Sequence, residues 1–431
     1  MRWPKQIAVV TVFLLALVAC SGPGSGDGGG SPVCTANCTP PVVATDFLSV
    51  ADVQIVIAQA VFEAATRNAR ATIAVVDRVG NVLGVFRMNG AAPTFRISSG
   101  LNVTGGLENI DVLPDSFAAI SKAITSAYLS SNGNAFSTRT ASQIVQEHFN
   151  PREFNQPSGP LNGVQFSQLS CSDLMRRATD GTVGPKRSPL GLAADPGGLP
   201  LYKNSRLVGG VGVIADGVYG LDLNITDVDQ DLDELITVAA SNGFTAPEDI
   251  RGNRITADGR TFRYLDSELI QSNPAQAPAF GSLAGATVAV TGYFDGTIRA
   301  GTSFGNAASG YRAATAGDSA ALLAQNAHIL VDGTNGNRYS PHAGSDGLTT
   351  QIEAITVLTE ALKIANRARA QIRRPLGTQA QVTISIVDTN GEVLVLARTP
   401  DAPVFGTDVS LQKARSAVLF SHPNLAADLS A

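Results

Sequence analysis

The chain is 431 residues long, 44% hydrophobic and 16% charged, with a formal net charge of −5. That is enough apolar surface for packed cores and too few charges for a disordered chain. A net negative chain lacks the basic footprint that nucleic-acid binding needs, so the composition gives no support to a nucleic-acid partner.

Arg2 and Lys5 form a positive n-region, and Ile7 to Val18 is an apolar run too short for an ordinary membrane-spanning helix. The run ends in Leu17-Val18-Ala19-Cys20, which resembles a bacterial lipobox. The expectation is a lipoprotein signal peptide over residues 1–20, lipidation at Cys20, and attachment to a membrane through that lipid. Removing Arg2 and Lys5 takes the charge from −5 to −7. Ser21, where an Asp favours inner-membrane retention in Gram-negative cells, leans towards the outer membrane of the envelope. Residues 21–46 are rich in Gly, Ser and Pro and read as a flexible linker. Cys34 and Cys38 lie within it, and an oxidising exported compartment favours a small disulfide loop between them. With no His after it, C-x-x-x-C is not a c-type haem attachment site. Cys171 has no obvious partner and is expected to be a buried thiol.

The folded part opens with a helix over 47–71, capped by Ser49 with Asp52 placed for a capping box. Thr72 to Asp77 and Val82 to Arg87 read as a hairpin turning at Arg78-Val79-Gly80-Asn81, with Gly80 at positive φ. Asp115 to Ser130 is a helix with Asp115 as cap and a small-residue face of Ala119, Ala123 and Ala127. After an excursion over about 131–195, Leu199 to Lys203 and Arg206 to Val213 form a second hairpin turning at Asn204-Ser205, and Asp227 to Ser241 a closing helix stopped by Gly243.

The first hairpin recurs. "ATIAVVDRVGNVLGVFRM" from Ala71 and "QVTISIVDTNGEVLVLAR" from Gln381 share Ile73 with Ile384, Asp77 with Asp388, Gly80 with Gly391, Leu83 with Leu394 and Arg87 with Arg398. An internal repeat of this kind organises the chain. A helix precedes each copy, and "DVSLQKARSAVLFS" repeats the helix after the first, with Lys413 matching Lys122. Nothing after Phe420 corresponds to the second hairpin or the closing helix. Domain one is expected over 47–245 with its insertion near 131–195, an intervening region over 246–347, and a partial domain two over 348–431. Either the chain is a fragment of a longer protein, or another segment completes the second sheet; a hairpin within 285–301 is a candidate for that, and a bare edge otherwise invites pairing.

These residues resemble the GlcG/HbpS-like haem-binding (haem-degrading) domain family. The matching motifs are V-x-D-x-x-G in the first hairpin, Lys122-Ala123-Ile124-Thr125-Ser126-Ala127 with Lys413-Ala414-Arg415-Ser416-Ala417 in the helix, and Gly197-Gly198-Leu199-Pro200 with Val208-Gly209-Gly210-Val211-Gly212-Val213 in the second hairpin. Ser205 stands where that family has Gly. The resemblance implies an α+β fold, a profilin-like antiparallel sheet flanked by helices, here duplicated with the second copy incomplete. It further implies a haem or tetrapyrrole cofactor, a small-molecule ligand, and assembly into a homo-oligomer.

A haem iron takes an axial ligand such as His, Met, Cys or Tyr. None of His148, His328, His342 and His422 lies in a family motif; His148, in the first copy, is the candidate ligand, and a surface or capping histidine is its plainer role. Arg87, Lys122, Arg398 and Lys413 are candidates for a pocket that receives carboxylates, or are partners in salt bridges. Asp77 and Asp388 fix their turns. Gly209, Gly210 and Gly212 serve close backbone packing.

Three further patterns compete. Asp227, Asp229 and Asp231 alternate as in a calcium loop, but the Gly and Glu that an EF-hand requires are replaced by Leu232 and Val238. Gly301-Thr302-Ser303-Phe304-Gly305 fits G-x-S-x-G, with Asp318 and His328 or His342 downstream, and makes Ser303 a candidate hydrolase nucleophile. The third alternative is a cofactor-free sensory or interaction module at the envelope. A ligand-binding protein rather than an enzyme is the favoured reading.

Overall fold

The structure, a computed structural model, describes residues 46–149, 155, 158–177, 181–425 and 430. Cys20, Cys34 and Cys38 lie outside them. No helix among the described residues is long and apolar enough to cross a membrane.

Helix α1 (Val50–Thr66) starts at the expected capping box: Ser49 accepts from the Asp52 amide, and Asp52 accepts from the Ser49 amide. It stops at Thr66, earlier than expected. Strands β1 (Thr72–Asp77) and β2 (Val82–Met88) form the first hairpin, turning through Gly80 at φ 80°. Helix α2 (Asp115–Leu129) follows; Asp115 is its first residue and not its cap, which is Pro114. Helix α3 (Thr138–Val145) belongs to the insertion. Strands β3 (Gly198–Lys203) and β4 (Arg206–Ile214) form the second hairpin, with Asn204 and Ser205 both at positive φ. Two left-handed residues match the twist of a tight hairpin. Helix α4 (Leu232–Ala240) begins later than expected, because Asp231 caps it.

A short strand, β5 (Gly285–Thr287), joins β2, giving an antiparallel sheet in the order β5-β2-β1-β4-β3. Alternation along β1 sends Ile73 and Val75 to a core shared with α1 and α4, and Ala74 and Val76 to one shared with α2. Helix and hairpin lie close because β4 presents glycine to α2: a Cβ on Gly210 would sit 2.3 Å from the Ala123 carbonyl, and one on Gly212 2.2 Å from that of Ala119. The motif glycines therefore serve backbone packing.

The second sheet runs β6 (Tyr311–Ala313), β7 (His328–Leu330), β9 (Val393–Arg398), β8 (Thr383–Val387). Helix α5 (Gln351–Arg367) covers one face, and helix α6 (Gly406–Ser421) packs along the other side of β8. The region over 285–301 does not complete this sheet; its strand extends the first. The β6–β7 pair, absent from the sequence reading, is added instead, and to β9 rather than β8. Among the described residues β8 thus remains an edge, half-buried throughout, whereas its counterpart β1 is buried along its whole length.

Candidate functional site

The two cations of the first repeat are held by carboxylates. Lys122 is fully buried, with Nζ 2.5 Å from Asp195 and 2.6 Å from Asp233. Burial opposes its charge, and the two carboxylates outweigh that and hold it above the usual lysine range. Burial likewise pushes Asp195 up to about 6 despite the facing ammonium. Arg87 donates from Nε to Asp115 at 2.7 Å and from a second nitrogen to the other oxygen, and the Thr72 hydroxyl donates to the same carboxylate. Neither cation is left over for a ligand.

The second repeat differs at each of these points. Lys413 is exposed, and among the described residues no ion pair involves it. Arg398 is fully buried, yet none of its three guanidinium nitrogens meets an acceptor with hydrogen-bonding geometry; its planar group stacks 4.3 Å from the Tyr311 ring centre and 5.4 Å from that of Phe304. Burial pushes its pKa down to about 10.

Lys413 stands at a cleft of about 290 Å³ between the insertion of the first repeat and the second repeat. Leu129, Phe136 and Phe262 form one wall; Val382, Phe405 and Val409 form the other. The walls are aliphatic and aromatic with few polar groups, as in small-molecule pockets, though the volume is at the low end of their usual range. Phe405, Val382 and Thr383 were not singled out from sequence. The cleft joins segments far apart in the chain, so no local pattern marks it.

The lining suits an apolar ligand that carries an anionic group. It contains no His, Met, Cys or Tyr, and so offers no usual axial ligand to an iron. His148 is not part of the lining; its Nδ1 has no partner, and the neighbouring Phe149 packs on Phe262 with ring centres 6.1 Å apart. The four candidate cations and His148 are not brought to one place.

Ser303 donates to Asp46 at 2.6 Å, Asp318 is held by Arg312 and Thr315, and the His342 Nδ1 lies 3.0 Å from the Ser340 carbonyl. The G-x-S-x-G stretch is not a strand-turn-helix elbow, so the hydrolase pattern has no triad behind it. Asp222, Asp229 and Asp266 converge, but the buried Arg139 already provides their counter-charge, at 2.9, 3.2 and 2.8 Å. Asp231 caps α4. Asp77 and Asp388 accept from the amides of their own turns, as expected. Cys171 is exposed, not buried, on a loop of the insertion.

His328 lies opposite Arg398 across the β7–β9 pair. Burial, and behind it the Arg398 charge, pushes its pKa down to about 4. An unfolded histidine titrates near 6.5. The folded state therefore resists protonation, and this stabilisation is full above about pH 6.5 and lost as the pH falls towards about 4. His328→Gln is expected to flatten that part of the stability curve, read by urea unfolding across the same range.

Residues 357–429 match the family model described as "Haem degrading protein HbpS-like". That segment is HbpS-like. The matched segment holds β8, β9 and α6, and with them one wall of the cleft. No curated protein matches the chain. Among solved structures, the PduOC:haem complex is 17% identical, covering 47% of this chain and 97% of its own, with a TM-score of 0.29. Klebsiella pneumoniae ORFY is 19% identical, covering 49% of this chain and 100% of its own, with a TM-score of 0.28. A double mutant of Streptomyces reticuli HbpS is 17% identical, covering 50% of this chain and 98% of its own, with a TM-score of 0.27. In this HbpS-like segment, the helix lysine shared with the first repeat faces solvent beside an apolar cleft.

Proposed function

We propose that this chain is a binding protein for haem or a related tetrapyrrole, anchored to the bacterial cell envelope by a lipid on Cys20 and facing the periplasm. The observation that carries the ligand reading is the apolar cleft with Lys413 beside it, one wall of which comes from the HbpS-like segment. Stacked aromatic and aliphatic walls suit the face of a macrocycle, and an ammonium suits a propionate. The ring would leave an edge in solvent, given the cleft volume. Because the lining offers no usual iron ligand, binding is expected to depend on the macrocycle more than on the metal.

The test is a titration of the chain without residues 1–20, using haemin and metal-free protoporphyrin IX in parallel and following Soret absorbance. Both are expected to saturate at one per chain with comparable affinity. Lys413→Ala should weaken both by up to about five-fold, the equivalent of an exposed ion pair worth about 0–1 kcal/mol. Val409→Trp, which fills the cleft, should abolish both. A haemin complex lost in His148→Ala, with no porphyrin binding, would move the site to His148. Non-saturating absorbance with both would favour the cofactor-free interaction module, a reading that exposed Ile352, Ile364 and Phe420 support.

A further inference from the structure

The two repeats share one strand register. Thr72 lies opposite Arg87 in the β1–β2 pair, and Thr383 lies opposite Arg398 in the β8–β9 pair. The helix that follows starts at Asp115 in the first repeat and at Gly406 in the second, and Lys122 follows Asp115 at the same interval as Lys413 follows Gly406. In the first repeat these three positions form a closed set: the Asp115 carboxylate accepts from both the Arg87 guanidinium and the Thr72 hydroxyl.

In the second repeat the arginine and the threonine are kept and the acid is replaced by glycine. Both remaining partners lack a hydrogen bond. None of the three Arg398 nitrogens makes one, Asp401, the carboxylate that acts on its charge, is already paired with Arg78 and Arg373, and the Thr383 Oγ1 has no partner. A side chain built on Gly406 would point towards the Thr383 hydroxyl, with its Cβ 3.6 Å away and nothing nearer. Asp408, the acid in the first turn of α6, is turned the other way and accepts from the Gln168 amide and the Ser172 hydroxyl. A buried guanidinium with no anion hydrogen-bonded to it is costly, and a buried hydroxyl without a partner adds to that cost.

We propose that Arg398 and Thr383 form a carboxylate-binding site at the start of α6, where a ligand carboxylate takes the position that the Asp115 side chain holds in the first repeat. Thr383 and Gly406 both line the apolar cleft, which is the way in that the proposal requires; Arg398 lies opposite Thr383 across the strand pair, outside the lining and without contact with solvent. The site selects a carboxylate joined to an apolar body. It deepens the tetrapyrrole reading by giving a propionate its anchor, but its chemistry does not require a macrocycle, so the two are tested separately.

The probe is sodium acetate, compared with sodium chloride at equal ionic strength, on the chain without residues 1–20. Acetate is expected to raise the melting temperature saturably, by an amount on the order of 2 °C. Gly406→Asp, which restores the acid within the chain, is expected to melt higher than wild type in chloride and to lose the acetate response. Arg398→Met keeps the stacking length and removes the charge; it too should lose the response. An equal acetate effect in wild type and both variants, or none in wild type, overturns the proposal. If Gly406→Asp does not melt cleanly, the Arg398→Met comparison decides alone. Acetate binding without porphyrin binding leaves this site standing and sinks the tetrapyrrole reading; porphyrin binding without an acetate response, unchanged in Arg398→Met, does the reverse.

Discussion

Lys122→Met is expected to cost about 3–5 kcal/mol of folding stability, the usual result of removing one partner from a buried ion cluster. The ammonium is enclosed and is the counter-charge of both Asp195 and Asp233. Without it two buried carboxylates face each other, and one must take up a proton or the site must open. Burial already raises both acids, so the loss should shrink as the pH is lowered from 7 towards 5. Urea unfolding at the two pH values measures this. The matched substitution Lys413→Met serves as control and should lie within about 0.5 kcal/mol of wild type, as surface changes usually do. If the two variants behaved alike, the difference in burial between the repeats would have no energetic meaning.

Gly212→Val is expected to cost about 3 kcal/mol or more, the upper end for overpacking. A Cβ there would lie 2.2 Å from the Ala119 carbonyl and 2.5 Å from the Ala123 amide nitrogen. Both are backbone atoms of α2, and no rotamer change relieves them. The helix would have to lift from the sheet, opening the core of Ala74, Val76 and Ala119. Gly281→Ala, where nothing lies within 4 Å of the added carbon, should be nearly neutral. Thermal unfolding of the two variants side by side separates close approach from a general intolerance of glycine replacement.

The parts legible in the sequence are those whose causes are local. The capping box at Ser49 and Asp52, the turn at Gly80, the β-branched strand β1 and the hairpin partners β2, β3 and β4 each follow from a few neighbouring residues. The repeat also placed β8 and β9. Strands β6 and β7 could not be read, because three residues among loops carry no period. The carboxylates that hold Lys122 come from the end of the insertion and the first turn of α4, far from it in the chain. Lys122 and Lys413 therefore look alike as letters and differ wholly in surroundings. A signal for the Arg398 site was present in the pairing of Asp115 with Gly406, but only the strand register shows that the acid belongs to the arginine.

The half-buried edge strand β8 has a consequence for how the molecule comes apart. β1 has a hydrogen-bonded strand on each side, so it can separate only when the whole first sheet does. Among the described residues β8 is tied on one side only, and its helix α6 ends in exposed Leu419 and Phe420. Local opening draws on the parts with the fewest buried contacts and unpaired edges. The strand that opens the repeated phrase is thus tied on both sides in its first copy and, among the described residues, on one side only in its second.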